Sequence, residues 1–225
     1  FFHGGGFVIG DLETHAPWCA EAARQLDMPV VAIDYRLAPE HPFPAAVDDC
    51  EAAARWIANN IPNNGLVLAG DSAGGNLSLV TALALALEPA NAAVRAIYSF
   101  YPVVTHRAHP APSATTFAEG YMLTARAMRY FGQCYAADAE SWRASPFDAD
   151  LSVMPPTLIH TASLDPLRDQ GRDFAAKLVQ AGVATTYLEA KGTIHGFINL
   201  RKALPSTQRD IEAGFHALKA LLEVQ

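Results

Sequence analysis

A serine hydroxyl attacks a carbonyl only with help. It needs a base to take its proton, a carboxylate to orient that base, and donors for the charge that develops on oxygen. Gly70-Asp71-Ser72-Ala73-Gly74 is a place where such a serine could stand. A short apolar run precedes it and a helical segment follows. A tight strand-to-helix elbow needs small residues two positions either side of the serine, because the turn leaves no room for side chains there. That elbow would lift the Ser72 hydroxyl to the tip of a sheet. The plainer reading is a glycine-rich turn with a capping serine.

Downstream of Ser72 the histidines are His106, His109, His160, His195 and His216. In a strand–turn–helix serine site the order along the chain is serine, acid, histidine. His106 and His109 precede every good acid. His160 falls within a predicted strand and His216 on a predicted C-terminal helix, so both read as structural. His195, in the stretch Lys191 to Phe197, follows the last predicted strand and is the expected base. Asp165 ends a strand region, at the sheet edge where ligand sites gather. Its alternative role is a helix cap before Pro166. Asp165, Asp169 and Asp173 recur every four residues, but no histidine or cysteine stands among them, and they read as a solvated helix face. The electrophile stabiliser is expected from His3-Gly4-Gly5-Gly6-Phe7, whose glycines can present backbone N–H groups without obstruction. A phosphate-cradling loop is disfavoured, because no Gly-Lys-Ser/Thr follows.

These residues need a scaffold that holds strand ends together. Val30 to Asp34, Leu66 to Ala69, Val94 to Phe100, Thr157 to Ala162 and Thr185 to Glu189 read as strands. Helical spacing recurs at Val47, Cys50, Ala54, Ile57 and Ile61, with Asp48, Asp49 and Glu51 in the first turn. It recurs again at Ile211, Phe215, Leu218 and Leu222. Pro166 opens a further helix that Gly182 closes. Alternation of this kind predicts an α/β fold, a mostly parallel sheet covered by helices on both faces. From 102 to 156 there is no convincing strand, only an amphipathic piece at Ala125 to Tyr135. We read this region as an insertion above the sheet, part of a lid or cap; a long crossover with a surface helix is the competing reading.

Composition narrows the partners. The 225 residues are 51% hydrophobic and 17% charged, which allows a sizeable core and excludes intrinsic disorder. Sixteen basic against 23 acidic residues, a net of −7, argue against nucleic acid and anionic membrane surfaces. Leu77 to Leu87 is far shorter than the roughly 20 residues of a membrane span. Cys19, Cys50 and Cys134 are odd in number and scattered, which favours a reducing, cytoplasmic compartment.

Five segments together resemble the hormone-sensitive-lipase-like esterases of the α/β-hydrolase superfamily, in particular the bacterial carboxylesterases. They are HGGGF (His3 to Phe7), DYRLAPEHPFPAA (Asp34 to Ala46), GDSAGG (Gly70 to Gly75), DPLRD (Asp165 to Asp169) and HGF (His195 to Phe197). The resemblance implies a catalytic triad of Ser72, His195 and Asp165, with oxyanion-hole N–H groups from Gly5, Gly6 and Ala73. It makes Tyr35 to Pro44 a structural buttress of the sheet. It implies a small-molecule ester substrate and neither cofactor nor metal, and it leaves a homo-oligomer open. Phe7, Leu167 and Phe197 are the expected walls of a pocket for short acyl chains. Family members carry residues upstream of HGGGF, so a single catalytic domain spanning 1–225 and lacking its N-terminal strands and cap segment is expected. Val30 to Asp34 would then form an exposed edge. The alternatives to a serine carboxylesterase are a ligand-binding protein on the same scaffold, as the plant gibberellin receptors are, or an inactive fragment. A deacetylase or lactonase would use the same residues.

Overall fold

A computed structural model describes residues 1–223. Four parallel strands form one sheet in the spatial order β1 (Leu66–Asp71), β2 (Val94–Phe100), β3 (Thr157–Leu164) and β4 (Thr185–Ile194). Seven helices accompany it among the described residues: α1 (Leu12–Leu26), α2 (Ala45–Asn60), α3 (Ala73–Leu87), α4 (Pro112–Thr116), α5 (Ala125–Tyr135), α6 (Arg168–Gln180) and α7 (Ser206–Glu223). Parallel neighbours cannot be joined by hairpins, so each connection crosses over the sheet. Helix α3 makes the first crossover, residues 101–156 the second and α6 the third.

Alternate strand residues feed two separate cores, as the period of two requires. Leu68, Ile97 and Ile159 pack with α2, α3 and α6 on one face, whereas Tyr98, Phe100 and Leu158 pack with α1 and α7 on the other. Helix α3 is apolar all round, and every residue from Ala73 to Leu85 is buried. A helix of that kind belongs inside a protein. It runs directly from the end of β1, so the most buried helix carries the backbone just after Ser72.

One expected strand is absent and one helix is new. Val30 to Asp34 is not a regular strand. Ile33 alone forms an isolated parallel bridge to Phe2, and Phe2 bridges on its other side to Gly70 of β1. A ladder needs paired groups along its length. Among the described residues this segment pairs with Phe1 and Phe2: the Phe1 nitrogen lies 2.7 Å from the Val31 carbonyl oxygen, and Ile33 N–H donates to the Phe1 carbonyl at 3.0 Å. Helix α1, conversely, has no counterpart in the sequence reading. Pro17 lies inside it and cannot donate an N–H to Glu13. The helix forms nonetheless, with an Asp11–Thr14 capping box at its start and Trp18 and Ala22 buried against the sheet.

The region 101–156 contains no strand and carries α4, α5 and two short 3-10 turns. Helix α5 has the bounds the sequence predicts, and the Thr124 hydroxyl caps it by accepting from Ala127 N–H at 3.1 Å. No helix among the described residues is long and apolar enough to cross a membrane.

The buried faces of α3 yield a stability prediction. Leu77 is fully buried and Leu87, at the far end of the same helix, is 58% exposed. Leu77→Ala should cost about 2–5 kcal/mol, and each kcal/mol lowers Tm by roughly 2–4 °C in a chain of this size. Leu87→Ala should cost less than about 0.5 kcal/mol. Thermal melts of the two variants side by side check the contrast.

Candidate active site

The elbow forms where β1 ends and α3 begins. Ser72 sits at φ 55° and ψ −115°, a left-handed conformation that a side chain disfavours. The flanking glycines show why it is tolerated. A Cβ on Gly70 would overlap the Gly74 carbonyl, and one on Gly74 would overlap the carbonyl of Phe2. The small residues therefore serve close backbone approach, as the motif predicts.

From the elbow the Ser72 hydroxyl faces the ring of His195, with Oγ 2.9 Å from Nε2. On the other side of that ring, Nδ1 is 2.6 Å from Asp165 Oδ2. Asp165 is fully buried and Ser72 and His195 nearly so, each 8% exposed. His195 follows the end of β4, and Asp165 follows the end of β3. Asp165 is not the cap of α6, whose N-cap is Leu167 without a side-chain bond; Oδ2 meets the histidine, while Oδ1 accepts the Leu167 N–H at 2.8 Å in the turn leading into the helix. A carboxylate bound at both oxygens cannot rotate away. Such a chain lets a hydroxyl lose its proton to a ring nitrogen while a fixed carboxylate holds the opposite N–H.

The glycine loop approaches from the side of Phe2. Gly5 and Gly6 have φ of 130° and 62°, and neither N–H makes a hydrogen bond within the described residues. The Ala73 N–H, in the first turn of α3, is free as well. The loop is held by its neighbours. Gly4 N–H donates to Asp71 Oδ1 at 2.7 Å, and the Tyr35 hydroxyl donates to the His3 carbonyl at 2.6 Å while its ring stacks on His3. Ala38 N–H donates to the Phe7 carbonyl at 2.9 Å. The tract from Tyr35 onward thus buttresses the glycine loop, while Tyr35 and Ala38 also belong to the core that covers Leu68, Ile97 and Ile159 of the sheet.

A cleft of about 790 Å³ opens over these groups. Phe7 and Leu167 line it, together with Met128 and Phe131 of α5. Phe7 lies flat on Tyr135, with ring centroids 3.8 Å apart. Phe197 is a correction: it does not line the cleft. Gly196, at φ 77°, turns the chain into a short 3-10 segment, and the Phe197 ring goes under the site against Phe100, Tyr101 and His160.

Four residues around the site were not singled out from sequence. The Asp71 carboxylate is buried and collects Gly4 N–H, His15 and the Tyr101 hydroxyl. Burial raises the Tyr101 hydroxyl well above the usual phenol range, which keeps it protonated as a donor. Its ring lies 4.5 Å from that of His195. Asn199 reaches His15 from the loop after His195. The available signal was an acid beside the serine with no basic residue in its own motif.

A protein family described by its alpha/beta hydrolase fold matches residues 1–199. An esterase of Pyrobaculum calidifontis superposes with a TM-score of 0.92 at 40% identity, over 99% of this chain and 75% of that one. This chain belongs to the α/β-hydrolase family, among its hormone-sensitive-lipase-like esterases. A thermostable carboxylesterase cloned from a metagenomic library aligns with this hydrolase at a TM-score of 0.94 and 35% identity, covering 99% of this chain and 79% of that one. The esterase LipI of Mycobacterium tuberculosis is 35% identical over 99% of this chain and 72% of its own length. The ethyl acetate hydrolase of Pseudomonas putida is 36% identical over 97% and 71%.

His160 illustrates a histidine of this hydrolase with a structural role. It is buried beneath the site, with Nδ1 3.0 Å from the Tyr98 hydroxyl, and burial lowers its pKa to about 3. An unfolded histidine titrates near 6.5. Between these values the unfolded chain binds a proton that the folded chain refuses, so stability falls as pH drops below about 6.5. His160→Phe should remove about one proton from the pH dependence of unfolding in that window. Denaturant titrations of both proteins at several pH values across it check the change in slope.

Proposed function

We propose that this chain is a serine carboxylesterase that hydrolyses esters of short acyl chains. The observation that carries the reading is the sequence of contacts from Ser72 through His195 to Asp165, at 2.9 and 2.6 Å, beside the free N–H groups of Gly5 and Gly6. Ser72 Oγ attacks the ester carbonyl carbon and His195 Nε2 takes the hydroxyl proton. Asp165 holds the opposite N–H and stabilises the imidazolium. Gly5, Gly6 and Ala73 donate to the oxygen that becomes negative, and one such donor is typically worth about 3 kcal/mol in the transition state.

Collapse of the tetrahedral intermediate breaks the bond to the alcohol oxygen, which leaves with the proton from Nε2. Water then gives a proton to Nε2 and attacks the acyl-enzyme. The second collapse releases the acid and returns the proton to Ser72 Oγ, so the enzyme is unchanged.

Similarity to the ethyl acetate hydrolase supports a small substrate. So do the bulky side chains of Phe7, Leu167 and Phe131, which border the cleft. Helix α5, within 102–156, serves as the lid or cap: Ala127, Met128 and Phe131 present an apolar wall to the cleft. The three cysteines are free thiols, which supports a reducing, cytoplasmic setting.

Ser72→Ala should fold normally and lose turnover on the order of 10⁶-fold. A p-nitrophenyl ester assay, with circular dichroism as the fold control, tests it; near-normal turnover would end the assignment. Across a series of p-nitrophenyl esters, kcat/KM should peak at acyl chains of about four to six carbons, because each buried CH₂ adds about 0.8 kcal/mol only until the pocket is full. A steady rise through long-chain triglycerides would indicate a lipase instead.

A further inference from the structure

We propose that His15 is a positioning residue for this hydrolase, locking the glycine loop and the His195 loop onto the serine elbow. It lies on α1, outside all five segments that carry the family resemblance, and is 5% exposed. Its Nε2 stands at a junction: Asp71 Oδ1 is 3.1 Å away and Asn199 Nδ2 is 2.8 Å away. The same Asp71 oxygen accepts the Gly4 N–H at 2.7 Å, and Asp71 is the residue before Ser72. Asn199 belongs to the short 3-10 turn that follows His195. One ring nitrogen therefore touches side chains tied to each of the three segments that meet at the cleft.

The ring itself is held from behind. Nδ1 lies 2.9 Å from the Thr14 hydroxyl, which donates to the Asp11 carbonyl at the capped start of α1. The orientation of α1 is thereby transmitted to the site. Without His15, the buried Asp71 carboxylate loses a neighbour and Asn199 loses its partner. A buried polar group left short of partners is costly and relaxes toward others. The glycine loop and the His195 loop would then shift independently. Donors and bases displaced by about 1 Å lose much of their effect on the transition state, up to roughly 10²-fold, whereas ground-state binding in an apolar cleft changes little.

This inference rests on the serine-esterase reading, and the experiment separates the two. Wild type, His15→Phe, His15→Gln and Asn199→Ala are assayed with p-nitrophenyl butyrate, with phosphonate labelling of the wild type and Tm of all four measured in parallel. His15→Phe should lower kcat by about 30- to 100-fold with KM within about twofold. His15→Gln, whose amide nitrogen can donate to Asp71 and whose amide oxygen can accept from Asn199 Nδ2, should recover most of that loss. Asn199→Ala should show a smaller loss confined to kcat, and it carries the test if His15→Phe fails to fold. A wild-type kcat in His15→Phe would overturn the inference and leave the esterase reading intact. So would a rise in KM at constant kcat, which marks a substrate contact, or equal losses in the Phe and Gln variants that track Tm. A wild type inert to both ester and phosphonate would overturn the esterase reading and this inference with it.

Discussion

Ser72 is held at φ 55° and ψ −115°, and much of the molecule is arranged to keep it there. A strained backbone of this kind costs on the order of 1–3 kcal/mol and persists only where its surroundings over-determine it. Here they do. The residues before it are locked into the parallel ladder between β1 and β2, paired through Asp71 and Phe100. The residues after it enter α3, which is buried on every side. The Ser72 N–H itself donates to the Phe100 carbonyl at 2.9 Å. Strain at one residue is thus offset by two of the most buried elements of the fold, and the hydroxyl is left projecting into the cleft.

The second constraint is charge. Asp71 and Asp165 are both buried, and among the described residues neither pairs with a lysine or arginine. Buried carboxylates of this sort must be satisfied by hydrogen bonds. Each accepts a backbone N–H and faces a histidine: the Gly4 N–H donates to Asp71, which lies 3.1 Å from His15 Nε2, and the Leu167 N–H donates to Asp165, which lies 2.6 Å from His195 Nδ1. The demand for partners is what draws distant segments together. Asp165 fixes the base, and Asp71 ties the glycine loop to the elbow. In this sense the geometry of the site is the solution to a desolvation problem.

Much of this was legible in the sequence because local rules and chemistry pointed the same way. Gly70 and Gly74 announce an elbow for steric reasons, and the chain order serine, acid, histidine leaves His195 and Asp165 as the candidates. Helix α5 was readable as an amphipathic piece around Ala125 to Tyr135, and the structure adds the Thr124 cap at its start. Helix α1 was not, because Pro17 contradicts local propensity and only the burial of Trp18 and Ala22 overrides it. Val30 to Asp34 has a strand's composition, yet a strand is defined by its partners, and only Ile33 finds one in Phe2.

What the sequence by itself determined is the set of candidate groups: a serine in a small-residue elbow at a strand end, a run of glycines, and, by chain order, a histidine and an acid downstream. What only the tertiary structure decided is how those parts are held. Tyr35 on His3, Asp71 on Gly4 and His15 on Asp71 join residues 32, 67 and 56 positions apart. The direction of Phe197, away from the cleft, depends on the turn at Gly196 and the room beside Phe100 and His160. Contacts of that range carry no local periodicity. They exist because burying a polar group forces it to find a partner wherever the fold supplies one.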